Sequence, residues 1–193
     1  MRKINSSEKI ISATLKLAEA RRWQDISIEN IAEAAKIKLN IVNKEFSSKL
    51  MILEAFNRQL DRQMAKDFSD IEITGSIREK LFEILMYRFD TLDKYKKALK
   101  SIYKGTVPFD PLASTCGLKN LNKSMEVALN ITGTPTRTPI GCIKTKFLLI
   151  IFIRSFITWL EDDSPDMAIT MSKLDDGLAK AEMLNKNISG VSH

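Results

Sequence analysis

Few side chains in this chain are of a type and spacing that could do chemistry. The only histidine is His193, the last residue, so no Ser-His-Asp or Cys-His arrangement can be assembled inside a fold, and no histidine-rich metal site either. Cys116 and Cys142 stand 26 positions apart, in no ligand-like spacing, which argues against both a disulfide framework and a zinc site. The sequence holds no GxSxG, GxxxxGK[ST] or GxGxxG, the strings that build nucleophile elbows and phosphate cradles. Carboxylates cluster at Glu161, Asp162, Asp163 and Asp166, where they could hold a cation or cap the start of a helix. Capping is the expectation, because negative charge is favoured at a helix N-terminus. No catalytic residue, metal ligand or cofactor is expected, and the chain reads as a non-enzyme.

Chemistry of a different kind lies near the start. Residues 1–60 carry 11 basic and 7 acidic side chains, a net +4 of the whole chain's +6, as befits a face that meets phosphate. Ser27 caps a short helix with Ile28, Ile31, Ala32 and Ala35 on one side, and a link at Lys36 and Ile37 leads to a second, roughly Lys38 to Glu45. Two short helices held at an angle by an apolar patch form a helix-turn-helix, which lays its second helix in a DNA major groove. With Leu39, Val42 and Phe46 turned inward, Asn40, Ile41, Lys44 and Glu45 face outward, with Lys38 and Asn43 at the flanks. Asn and Lys can read purine edges, and Lys can neutralise phosphate. Glu45 would repel the duplex backbone.

The elements that must position this unit are helical throughout. A first helix runs from Ser7 to Arg22 on Ile11, Leu15 and Ala18, and a long fourth one, capped by Ser47 or Ser48, carries Leu50, Leu53, Phe56 and Leu60. Residues 67–75 read as a connection. Ser76 then precedes a helix on Leu81, Leu85, Phe89 and Leu92, and a short one covers Tyr95 to Tyr103. Asp110-Pro111, Thr138-Pro139 and Ser164-Pro165 each set a capping residue before a first-turn proline, predicting helices over 111–131, 139–160 and 165–185. The last should turn Met167, Met171, Leu174, Leu178 and Ala181 inward.

The most apolar stretch, Phe147 to Ile153, is closed by Lys146 and Arg154, far short of the roughly 20 residues that span a bilayer. No secretory leader is read in MRKINSSEKI. A cytoplasmic location without stable membrane insertion is expected. Because Phe147 to Ile153 is apolar all round, the helix from Ile140 to Leu160 is either plain core or the seam of a homodimer.

The stretch EKIISATLKLAEARRWQDISIENIAEAAKIKLNIVNKEFSSKLMILEAF resembles the N-terminal domain of tetracycline-repressor-type (TetR) regulators. The resemblance implies a TetR-like all-α fold, with a helix-turn-helix domain over 1–48 and a larger ligand-binding and dimerisation domain over 49–193, paired through a four-helix bundle. Lys49 matches a phosphate-contacting lysine of that family, while Ile41, Asn43 and Glu45 stand at other contact positions. DNA contact is thus expected from Lys38, Asn40, Asn43, Lys44 and Lys49. The segments REKLFEILMYRFDTLDKYKKALKSI and WLEDDSPDMAITMSKLDDGLAKAE look like an alphaproteobacterial TetR-like group, and like the lipid-binding accessory protein of coenzyme Q biosynthesis that shares the fold. That similarity implies an apolar ligand pocket lined by Phe82, Leu85, Met86, Phe89, Tyr103, Met125, Leu129, Phe152, Phe156 and Trp159; spacing alone reads the same residues as packing. Two functions follow: a transcriptional regulator that binds double-stranded DNA and is tuned by a lipophilic molecule, or a lipid carrier that has lost DNA binding.

Overall fold

A computed structural model describes residues 6–71 and 73–190, with side chains as far as 184; His193 lies outside this range. The described residues are helical and contain no strand. In order they are α1 (Ser6–Ala20), a 3-10 turn (Trp23–Asp25), α2 (Ile28–Ala35), α3 (Leu39–Glu45), α4 (Lys49–Asp67), α5 (Ile77–Asp93), α6 (Lys96–Thr106), α7 (Pro111–Ile131), α8 (Pro139–Trp159), a second 3-10 turn (Pro165–Met167) and α9 (Ala168–Gly190).

The starts follow from local side-chain chemistry. Ser48 Oγ accepts from the Met51 amide at 3.3 Å, Asp110 Oδ1 from the Ala113 amide at 2.8 Å and Thr138 Oγ1 from the Gly141 amide at 3.0 Å. Ser76 and Glu79 cap reciprocally: Glu79 N donates to Ser76 Oγ at 3.3 Å, and Ser76 N to Glu79 Oε2 at 2.7 Å. The third proline start differs from expectation, because Pro165 opens a 3-10 turn in which Asp166 (φ 52°) and Met167 (φ 54°) are left-handed, and α9 begins only at Ala168. The buried Asp162 carboxylate bridges that break. It accepts from Ser164 N at 2.9 Å and from Thr170 N and Oγ1 at 2.8 and 2.6 Å. Burial alone would raise its pKa, but these donors outweigh it and hold the carboxyl well below the usual range.

The chain forms two compact units. One comprises Met1–Leu60 with Leu92–Asn120, so the expected boundary at residue 48 does not coincide with the packing: α6 lies against α1 and the first 3-10 turn. Ser101 Oγ donates to Arg21 O at 3.0 Å. Gly105 makes the approach possible, since a Cβ there would stand 2.9 Å from the Trp23 Cβ. Phe56 and Tyr95 meet edge to face at 5.1 Å.

The other unit comprises Asp61–Thr91 with Leu121–His193. Its core is Leu85, Phe89, Met125, Leu129, Phe152, Trp159, Leu174 and Leu178, all buried. Within it lies a charged triad: Arg88 Nη1 donates to Asp61 Oδ1 at 2.6 Å, Ser124 Oγ to Asp61 Oδ2 at 2.9 Å and Arg88 Nη2 to Ser124 Oγ at 3.2 Å. The Arg88 guanidinium also sits 5.6 Å from the centroid of the Phe152 ring. Helices α8 and α9 pack closely at Gly177, where a Cβ would fall 2.7 Å from Ile151 Cγ2. Met171, expected inward, is 39% exposed. The later start of α9 leaves Leu174 and Leu178 as its buried stripe.

Candidate nucleic-acid interface

Helix α2 is fixed at its start by a reciprocal cap: Asn30 N donates to Ser27 Oγ at 3.2 Å, and Ser27 N to Asn30 Oδ1 at 3.1 Å. It ends at Lys36, which takes the left-handed conformation (φ 55°, ψ 43°) that closes a helix end. Ile37 N then donates to Ala32 O and Lys36 N to Glu33 O, each at 3.0 Å. A lysine holds a backbone position that glycine occupies without strain.

Helix α3 is only seven residues long and buries one side chain, Val42, with Phe46 buried just beyond its end. Leu39, expected inward, is 37% exposed. It stands in the first turn, one turn ahead of the Val42 anchor, and therefore at the rim of the apolar patch. Lys38, Asn40, Ile41, Asn43 and Lys44 are all exposed, so the helix presents two cations, two amides and an apolar side chain on its open face. Glu45 is less open than expected. Ser6 Oγ donates to its Oε2 at 2.8 Å, tying the carboxylate to the start of α1.

Lys49 is placed differently from its neighbours. Its Nζ donates to Trp23 O at 2.9 Å and to Ile26 O at 2.6 Å, and lies 4.4 Å from the Trp23 ring centroid. Burial pulls its pKa below the ordinary lysine value, with the Asp25 carboxylate opposing that shift. The ammonium thus ties the first turn of α4 to the segment that leads into α2. Trp23 is buried, and Arg22 is engaged by Asp25 through Nε–Oδ2 at 2.8 Å and Nη2–Oδ1 at 3.2 Å.

The side chains expected to line an apolar pocket occupy the interior of the second unit, apart from Tyr103, which belongs to the first. Leu85, Phe89, Met125, Leu129, Phe152 and Trp159 are buried, while Phe82, Met86 and Phe156 are half-buried. The Phe89 ring stacks on Phe152 at 5.2 Å and meets Trp159 at 5.9 Å; Phe156 lies 6.2 Å from Phe152 and 5.5 Å from Trp159. These rings fill the interhelical space with one another, as a close-packed interior does.

Sequence reasoning passed over three features: the Ser6–Glu45 tie, the Lys49 clamp and the Asp61–Arg88–Ser124 triad. Only the triad left a signal. Arg88 falls seven residues after Leu81, on the same helical stripe, and Asp61 falls four after Asn57 and three before the buried Met64. Opposite charges on inward stripes call for each other.

No protein-family model matches the sequence, and no curated protein does. Solved structures do. A TetR transcriptional regulator from Nitrosomonas europaea ATCC 19718 superposes with a TM-score of 0.69 at 17% identity, over 92% of this chain and 98% of that one. One from Rhodococcus sp. RHA1 gives 0.69 at 15% identity, over 90% and 94%. NalD, the secondary repressor of the MexAB-OprM multidrug efflux pump in Pseudomonas aeruginosa, gives 0.59 at 17%, over 91% and 96%. The fold is therefore TetR-like.

Proposed function

We propose that the protein is a dimeric, DNA-binding regulator of transcription, the reading helix α3 entering the major groove. The observation that carries this reading is the open face of α3, where Lys38, Asn40, Asn43 and Lys44 project together from a helix pair that Ser27, Asn30 and Lys49 hold rigid. Asn40 and Asn43 suit adenine edges, Lys38 and Lys44 suit guanine or phosphate, and Ile41 suits a thymine methyl. With Ser6 on Glu45, the one carboxylate of α3 is drawn toward α1. Lys49 acts in this reading chiefly as a positioning residue.

The partner that completes the reading is a second copy. Ile140, Ile143, Phe147, Ile150 and Ile157 recur at alternating spacings of three and four or seven along α8 and are 43% to 66% exposed. Such a stripe is the seam of a helical bundle left open. Two heads related by a two-fold axis would read half-sites about one helical turn, or a multiple of it, apart. The regulator would then work in the compartment that holds the DNA, the cytoplasm. Among the described residues no helix is long and apolar enough to cross a membrane. The lipid-carrier alternative, kin to the coenzyme Q accessory protein, needs open space where Phe89, Phe152, Phe156 and Trp159 touch, and that packing favours the regulator.

The test is selection from a random duplex pool with the intact protein, beside Lys44→Glu. A palindromic motif should emerge whose affinity falls steeply with salt, and Lys44→Glu should weaken binding by at least about tenfold while lowering the salt slope. Recovery of no motif at low salt would overturn the reading.

A further inference from the structure

Between the first 3-10 turn, the start of α4, the end of α6 and the start of α7, wholly within the first compact unit, lies a cleft of about 380 Å³. Its apolar wall is made by Trp23, Leu50, Phe109 and Ala113. Two polar groups in the lining stand out. Lys49 brings a half-buried ammonium that donates two of its three N–H groups to the Trp23 and Ile26 carbonyls. Thr106 brings a buried Oγ1 that has no hydrogen-bond partner, a state that native interiors seldom leave unanswered. The remaining ionised wall residue, Asp110, already accepts the Ala113 amide at the start of α7, where the helix dipole offsets its charge.

We propose that this cleft is a binding site for a small carboxylate with a compact apolar body. Its carboxylate accepts the third Lys49 N–H and, once the covered Thr106 side chain turns about χ1 toward the cleft, the Thr106 O–H, and its body lies against Leu50, Phe109 and Ala113. A few convergent polar groups on a mostly apolar concave wall are what fix such a ligand, and the volume suits a molecule of benzoate size. The same Lys49 ammonium holds the Trp23 and Ile26 carbonyls just ahead of α2, so an occupant reaches the element that sets the reading helix. Its standing as an effector site rests on the regulatory reading; binding itself does not.

The experiment therefore uses the full chain without DNA. Benzoate is titrated by calorimetry and by tryptophan fluorescence, beside benzyl alcohol, which keeps the ring and loses the charge. Benzoate should saturate with a dissociation constant on the order of 1 mM, as expected for so few atoms, and benzyl alcohol should bind at least about fivefold more weakly. Thr106→Val should weaken benzoate about fivefold, and Ala113→Leu should abolish binding by filling the cleft. If Ala113→Leu fails to fold by circular dichroism, Thr106→Val decides. Absence of saturation, equal binding of the uncharged analogue, or unchanged affinity in a folded Thr106→Val protein would each overturn the proposal. DNA selection scores the regulatory reading separately.

Discussion

Helices α3 and α8 are built on opposite plans. The first has seven residues, buries Val42 alone and exposes amides and cations; the second has 21, buries Leu148, Phe152 and Trp159 on one side and still exposes five large apolar side chains on the other. A short helix with one anchor cannot hold itself in place, so α3 depends on what braces it: the Ser27–Asn30 cap, the turn at Lys36 and the Lys49 clamp. Helix α8 needs no brace, being anchored along its length. Its open apolar face is instead a demand for further burial. Both are unfinished surfaces, one cationic and polar and the other apolar, and in the reading proposed above a nucleic acid completes the first and a second copy of the chain the second.

The contrast can be pressed experimentally. The largest effect is expected inside the α8 unit, where Arg88→Met leaves the Asp61 carboxylate buried without its cation. Unfolding by urea should show a loss of about 3–5 kcal/mol, whereas the same exchange at the exposed Lys44 of α3 should stay within about 0.5 kcal/mol. Next comes the α8 seam. Phe147→Glu combined with Ile150→Glu should leave helicity unchanged and raise the dimer dissociation constant by about 100-fold or more in analytical ultracentrifugation; a dimer that survives places the partner surface elsewhere.

A smaller, pH-dependent difference should trace to Asp162 ahead of α9. Its folded pKa lies below its unfolded value, so its contribution is complete above the unfolded carboxylate range near pH 4 and is lost as the pH falls through the depressed folded value. Thermal melts of Asp162→Asn should start lower at neutral pH and show a flatter acid limb than the parent. The smallest effect belongs to the α3 side. Lys36→Gly relieves a side chain at φ 55° and should stabilise the protein by about 1 kcal/mol without altering the fold.

Much of the architecture was legible because its punctuation is local. Ser27, Asp110-Pro111 and Thr138-Pro139 marked helix starts that the structure keeps. Ser164-Pro165 used the same signal and misled, since a 3-10 turn with two left-handed residues intervenes and nothing in the string distinguishes it. The faces of α3 were legible from periodicity, except that Leu39 is exposed and Glu45 is half-buried against Ser6. Whether a residue in the first turn reaches its neighbour depends on where the neighbour ends. Lys49 was expected as a DNA contact from the family resemblance, and its part as a clamp was not legible, because its acceptors are carbonyls 23 and 26 positions away. The buried aromatic residues were identified, yet periodicity cannot say whether rings facing inward meet each other or surround a void.

The contact at Gly177 carries one more implication. A single hydrogen, where any other residue would bring a carbon, is all that separates the α9 backbone from Ile151. Inserting one methyl there would wedge the last two long helices apart by a fraction of their diameter, and the second copy proposed to pack on α8 would meet a mould of altered width.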